Sequence, residues 1–224
     1  MQKIVFILSL VLFFNKTQAQ DTAENKLGTW YMLNSSHKIS EKYSVKTAAH
    51  FRYFELITAY QQEIYRLGVN YKINKRMDFT LGTVYSITDV SYKANLPDLY
   101  EYRFYQDFNF KKKWSGFLVK QRVRLAQRFR RKNFENRTTH RIRYGLFFSS
   151  PISQKLTTYG FNEIFIKFAT KAFGQNRTGL GFLQKLSNQL KLKIGYMYTQ
   201  FSTTKSHRLQ LGFILNTNQM NNKI

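Results

Sequence analysis

Residues 100–110 read YEYRFYQDFNF. Tyr100, Tyr102, Phe104, Phe108 and Phe110 take alternate positions, interrupted only by Gln106. Between them stand Glu101, Arg103, Tyr105, Asp107 and Asn109. Successive side chains of a β-strand point to opposite faces, so one face of this segment is aromatic and the other carries charge of both signs. The run is also long, since strands of soluble sheets usually hold about 5–6 residues. At ~3.3 Å per residue it reaches ~36 Å, and tilted by ~45° it covers ~25 Å, the height of the apolar band of a membrane barrel.

The same period of two recurs in residues 65–73, 117–129, 140–148, 189–198 and 207–215. In 117–129, for example, Phe117, Val119, Val123, Leu125 and Phe129 oppose Lys120, Arg122, Arg124 and Arg128. Weaker strands are expected over 27–39, 43–54, 79–88, 159–168 and 175–185. No segment carries a helical apolar stripe. The chain therefore reads as all-β: a closed antiparallel up-and-down transmembrane β-barrel. Eleven strands are legible, and single-chain bacterial barrels normally have an even number, so the sequence predicts twelve, with ten possible.

Composition and the start of the chain agree with export. Lys and Arg number 36 against 12 Asp and Glu, aromatics make up 17%, and there is no cysteine, which excludes disulfides, thiolate nucleophiles and Cys-ligated metals. Residues 1–19 have a short basic start at Lys3, an apolar core over 4–14 and the small-residue site Thr17-Gln18-Ala19, and so read as a signal peptide. Residues 20–224 then form a single β-barrel domain. Connections at 40–42, 74–77, 111–113 and 187–189 are short, with 149–155 somewhat longer; those at 55–59, 89–98, 130–137, 169–174 and 201–206 are mostly longer. Short periplasmic turns and longer outer loops are the rule in outer-membrane barrels, so the 111–113 turn is expected in the periplasm and Arg130, Arg131 and Lys132 on an outer loop.

The candidate site is an inward column of arginines: Arg103, Arg122, Arg124, Arg128, Arg141 and Arg143, answered by Glu101, Asp107 and Glu163. Same-face residues on adjacent antiparallel strands lie ~5 Å apart, so Arg103, Arg122 and Arg141 are expected to form a ladder that carboxylates, water or anions must separate. Such a column is either a salt-bridged plug, giving a structural component, or a narrow anion passage. Glu163 is the acid expected to be buried among the arginines. Arg130, Arg131 and Lys132 are expected to meet lipopolysaccharide phosphates. Outer-membrane lipid, lipopolysaccharide and the barrel-assembly machinery are the expected partners.

Other classes find less support. None of His37, His50, His140 and His207 lies in an obvious nucleophile motif, and neither HExxH nor an acidic calcium loop occurs, so no catalytic, metal or cofactor residues are assigned. An outer-membrane lipid-modifying enzyme remains an alternative, because barrels do host such chemistry. A soluble periplasmic barrel binding a ligand is another, since alternation alone does not say which face meets water. Nucleic-acid binding is disfavoured: stacking grooves need cations and aromatics on one face, and here they oppose each other.

The order of several short pieces resembles a bacterial family known as domain of unknown function 2490 (DUF2490). The pieces are LGTWY at 27–31, EYRFYQDF at 101–108, RVRLAQRF at 122–129, RIRY at 141–144, NEIF at 162–165, GQNR at 174–177, IGYM at 194–197 and HRLQLGF at 207–213. The resemblance implies an outer-membrane β-barrel and supplies no catalytic assignment.

Overall fold

The computed structural model describes residues 23, 26–92, 96–169 and 172–222; the expected signal segment lies outside them. Eleven strands follow one another: β1 (Leu27–Lys38), β2 (Tyr43–Tyr53), β3 (Tyr60–Lys72), β4 (Met77–Thr88), β5 (Leu99–Trp114), β6 (Phe117–Lys132), β7 (Glu135–Pro151), β8 (Leu156–Lys167), β9 (Phe173–Lys185), β10 (Leu190–Gln200) and β11 (Lys205–Asn218). A 3₁₀ turn, Gln219–Asn222, ends the described chain.

Each strand pairs antiparallel with the next, and β1 closes the barrel by pairing parallel to β11, from Leu27↔His207 to Lys38↔Asn218. This corrects the expected twelve or ten antiparallel strands. In an up-and-down array the first and last of an odd number of strands run the same way, so closure with eleven must be parallel. Parallel pairing is slightly weaker per residue, and here all 12 residues of β1 engage β11.

Two expected connections are strand instead. Lys111, Lys112 and Lys113 belong to β5, and the turn is Ser115-Gly116, with φ of 43° and 85°. Arg130, Arg131 and Lys132 end β6, and only Asn133-Phe134 turns, with φ of 48° and 65°. Positive φ at both central residues is the hairpin turn whose twist matches that of the strands. Glycine at position 116 suits it. Phenylalanine at position 134 does not, because its Cβ crowds the backbone in the left-handed region. The consequence is a barrel with two protruding ribbons, β5–β6 at the short-turn end and β6–β7 at the other.

The faces separate as the period dictates. Tyr102, Phe104, Leu67, Leu81, Leu180, Ile194 and Phe213 point outward and are exposed, part of a band that circles the barrel. The interior holds two apolar clusters, Ile64–Val84–Tyr105–Ala126 and Trp30–Met32–Met197 with Phe161 beside it. Around them is a polar filling. Tyr105 occupies the first cluster because its ring crosses a glycine pair: a Cβ on Gly68 or Gly82 would stand 2.5 or 2.6 Å from its hydroxyl. Tyr105, Phe165 and Met197 are each only 1% exposed, so large side chains fill much of the barrel at mid-height.

Candidate functional site

The inward arginines divide into layers set by strand register. Nearest the long-loop end of this network, Glu101 accepts hydrogen bonds from Arg103 (Nε at 2.9 Å) and from Arg128 (Nε at 3.0 Å). Arg103 lies two residues along β5 on the same face, and Arg128 stands directly opposite Arg103 on β6. Further down, Asp107 faces Arg124 across the β5–β6 ladder and receives both Nε and Nη2 of its guanidinium, the bidentate fork that suits a carboxylate. Arg124 also lies over the Tyr105 ring, 4.3 Å from its centroid.

Glu163 on β8 is the third acid. It accepts from Arg122 Nη2 and is 3.7 Å from Arg143 Nη1, while Arg177 of β9 is its direct cross-strand neighbour. Arg141 touches none of these carboxylates; its guanidinium sits 4.9 Å from the centre of the Phe165 ring. The expected Arg103–Arg122–Arg141 ladder does not form. Arg122 pairs across to Asn109 and Gly145, and Arg141 to Ala126 and Lys167. The rows that do form, Asp107–Arg124–Arg143–Phe165 and Arg103–Arg128–Thr139, set Arg124 beside Arg143 and Arg103 beside Arg128, with a carboxylate or a neutral group only at the row ends.

A fourth acid was missed because β4 alternates weakly in sequence. Asp78 accepts from Asn109 Nδ2 at 2.8 Å and Lys111 Nζ at 2.6 Å, and Lys46 lies 3.5 Å away. Equally missed were Arg52, Arg66 and Arg177, on β2, β3 and β9. Arg52 bonds Gln62 at 2.6 Å and stacks 3.6 Å from the Trp30 ring centre. Arg177 takes the other side of the site, 4.8 Å from Trp30 and 4.7 Å from Phe165, with its guanidinium donating to the reoriented Gln175 amide oxygen. Arg143 lies 4.2 Å from Phe165 as well. Ring faces carry partial negative charge, so Trp30 and Phe165 help hold guanidiniums for which no acid is supplied.

The balance is the main electrostatic fact. Among the described residues, Arg52, Arg66, Arg141 and Arg177 make no ion pair with any carboxylate, and neither does Lys120. Buried guanidinium nitrogens without a partner include Arg66 Nε, Arg122 Nε, Arg124 Nη1 and Arg143 Nε. Arg66, Arg122 and Arg124 border a cavity of about 310 Å³ to which Lys46 and Lys120 also contribute, against Asp107 alone. A second cavity, about 210 Å³, opens near the long-loop end beside Trp30, Arg52, Arg177 and Arg208. Positive walls of this kind lower the energy of an anion and raise that of a cation.

On the outward face Ser35 Oγ lies 2.9 Å from His37 Nε2, and His37 Nδ1 lies 2.8 Å from Thr217 Oγ1. The parallel β1–β11 closure brings these together, since His37 pairs directly with Thr217. Arg130 turns inward to Thr139 Oγ1 at 2.9 Å, whereas Arg131 points outward over the Phe134 ring at 5.5 Å. The basic triplet is therefore split between faces. No group of His, Asp and Glu arranged to hold a metal ion occurs among the described residues.

Several solved structures resemble this chain at low sequence identity. The NanC porin matches over 84% of this chain and 98% of its own, at 8% identity and TM-score 0.55. The translocator domain of autotransporter NalP from Neisseria meningitidis matches over 76% and 72%, at 11% identity and TM-score 0.44. LpxR from Salmonella typhimurium matches over 78% and 83%, at 9% identity and TM-score 0.46. The porin likeness speaks for the barrel fold alone. No curated protein matches the chain in sequence. Residues 27–210 match the model of the family described as protein of unknown function (DUF2490), and the chain belongs to that family.

Proposed function

We propose that this DUF2490 member is an outer-membrane barrel whose arginine-lined interior admits small anions, serving as a structural membrane component that doubles as a restricted anion passage. The outward band of Tyr, Phe and Leu supports membrane residence, because a chain in water rarely exposes so continuous an apolar surface. Closure supports it too, since hydrocarbon tolerates no open sheet edge. The observation that carries the anion reading is the surplus of inward guanidiniums: Arg52, Arg66, Arg141 and Arg177 face the interior with no carboxylate assigned to them among the described residues. Packing at mid-height makes the passage narrow, so solutes larger than simple anions are excluded unless side chains move.

Planar bilayers with purified protein test this. Unit conductance steps with a reversal potential toward the chloride equilibrium value support the proposal. Cation preference overturns it, and silence from protein that shows heat-modifiable gel mobility leaves the structural role alone.

A second reading has one specific observation behind it. Ser35 bonded to His37, with His37 held through its other nitrogen by Thr217, is the layout of an activated nucleophile on the apolar outer face. In ester hydrolysis Ser35 Oγ would attack the acyl carbon, its proton passing to His37 Nε2 and then to the departing alcohol, before water releases the acid. Covalent labelling by a fluorophosphonate that Ser35→Ala abolishes would support it; an unlabelled parent protein removes it.

A further inference from the structure

The β6–β7 ribbon ends in an anomaly. Its turn places Phe134 at φ 65° and leaves the side chain 86% exposed. Glycine or asparagine would take that backbone position without the steric penalty, and a fully solvated phenyl ring gains nothing for folding. Strained residues persist where something besides stability selects them. The surroundings of Phe134 show what that is.

Register places two rows below the turn on the outward face. Tyr85, Tyr102, Phe129 and Thr138 are cross-strand neighbours on β4 to β7, and the row nearer the turn contains Tyr100, Arg131 and Asn136. The aromatic rows form the floor of an outward-opening groove of about 860 Å³. Pro97 and Asp98 of the β4–β5 connection make one wall, and Phe134 stands at the other. Arg131 belongs to the outward row, while Arg137, paired with Arg130, has the other parity and borders the groove from the ribbon; both are exposed and neither is in an ion pair among the described residues. Asp98 supplies one carboxylate against the three arginines that line the groove, Arg130, Arg131 and Arg137.

The groove is apolar below and cationic above, on a face that turns toward lipid. We infer that it binds one phosphate-bearing lipid of the adjoining leaflet, an acyl chain lying along Tyr102 and Phe129 under Phe134 and the phosphate meeting Arg131. Each part of the groove answers part of such a molecule. The aromatic floor takes hydrocarbon, the guanidinium fork takes a phosphate in two hydrogen bonds, and the ring of Phe134, held beneath the Arg131 guanidinium, shields the junction between them. A neutral lipid would leave the Arg131 guanidinium without a counter-charge. This inference rests on membrane residence and is independent of what the interior passes.

The test uses the full mature chain, refolded in detergent, with native mass spectrometry as the readout. The probes are diphosphoryl lipid A, the same lipid with its phosphates removed, and inorganic phosphate. One diphosphoryl lipid should bind at least about tenfold more tightly than its dephosphorylated form, the size of one charge-assisted hydrogen bond. Arg131→Gln should erase that preference, Phe134→Gly should weaken both lipids, and Arg76→Gln at the opposite end should change nothing. Equal affinity for the two lipids, an unaffected Arg131→Gln protein, or an equal loss in Arg76→Gln would each overturn the inference. So would tight binding of inorganic phosphate alone, which would mean that the groove takes no chain. Protein that stays soluble without detergent would fail the membrane reading itself, a result distinct from any of these.

Discussion

Replacing Glu163 by Gln keeps its volume and removes its charge, and Glu163 is the acid whose loss the interior should feel most. It is 6% exposed, accepts from Arg122, lies 3.7 Å from Arg143 and faces Arg177 across the ladder. At 3.7 Å and an effective dielectric constant of ~20, the attraction to Arg143 alone is about 4 kcal/mol, and near ~1 kcal/mol if water screens it fully. The glutamine also escapes part of the desolvation that the carboxylate bears. Breaking one side of a buried pair typically costs ~3–5 kcal/mol, because the remaining cation has no counter-charge. We therefore expect Glu163→Gln to lose ~3–5 kcal/mol in urea unfolding from lipid vesicles, a fall in midpoint of at least about 1 M for m-values of ~1–3 kcal/mol/M. Part of the loss should return in high chloride, since an anion can stand where the carboxylate stood. Glu163→Gln combined with Arg143→Met should lose less than the two single changes added together, by at least about 1 kcal/mol. A Glu163→Gln protein within ~0.5 kcal/mol of the parent, or strict additivity with Arg143→Met, would refute the picture of a carboxylate holding like charges apart.

Other expectations follow from single contacts. Phe134→Gly should stabilise the barrel by about 1 kcal/mol in the same unfolding assay while weakening lipid capture, because the left-handed backbone position suits glycine. Gly68→Ala should cost ~1–3 kcal/mol, since its Cβ would meet the Tyr105 hydroxyl; a Tyr105→Phe background should recover part of that loss. Phe104→Arg and Leu81→Arg, each on the apolar band, should cost ~2–4 kcal/mol near the bilayer midplane, and tolerance of both would contradict the placement of that band. In planar bilayers, Glu163→Gln should raise anion preference over the parent; a shift toward cations would count against the interior charge balance.

How much of this was legible in the chain depends on the range of the signal. Alternation in β5, β6 and β7 is strict, and the faces of those strands could be read residue by residue. Strand ends were less readable: Lys111, Lys112, Lys113, Arg130, Arg131 and Lys132 look like loop charge, yet they continue the ladder where the ribbons extend past the apolar band. The strand number followed a rule about even barrels, and what decides it is closure between β1 and β11, which no local pattern encodes. Arg66 stood on the polar parity of 65–73 but was not joined to the arginine column, while Asp78, Arg52 and Arg177 escaped notice because small and polar residues blur the period in their strands. Ser35, His37 and Thr217 were invisible for a different reason: the last two are 180 positions apart and meet only once the barrel closes. The arginine ladder failed for want of register, which turns shift by single residues and sequence parity does not supply.

The central claim is that the aromatic rows meet hydrocarbon while the guanidiniums look into the barrel. The chain has no cysteine, so single cysteines at positions 102, 103, 104, 107 and 108 can each carry a nitroxide label without background. Collision with dissolved oxygen and with a water-soluble nickel chelate, measured by electron paramagnetic resonance in vesicles, tests that claim directly. Labels at 102, 104 and 108 should be oxygen-accessible and shielded from nickel, and those at 103 and 107 shielded from both. Nickel-accessible labels at 102, 104 and 108 would contradict the account.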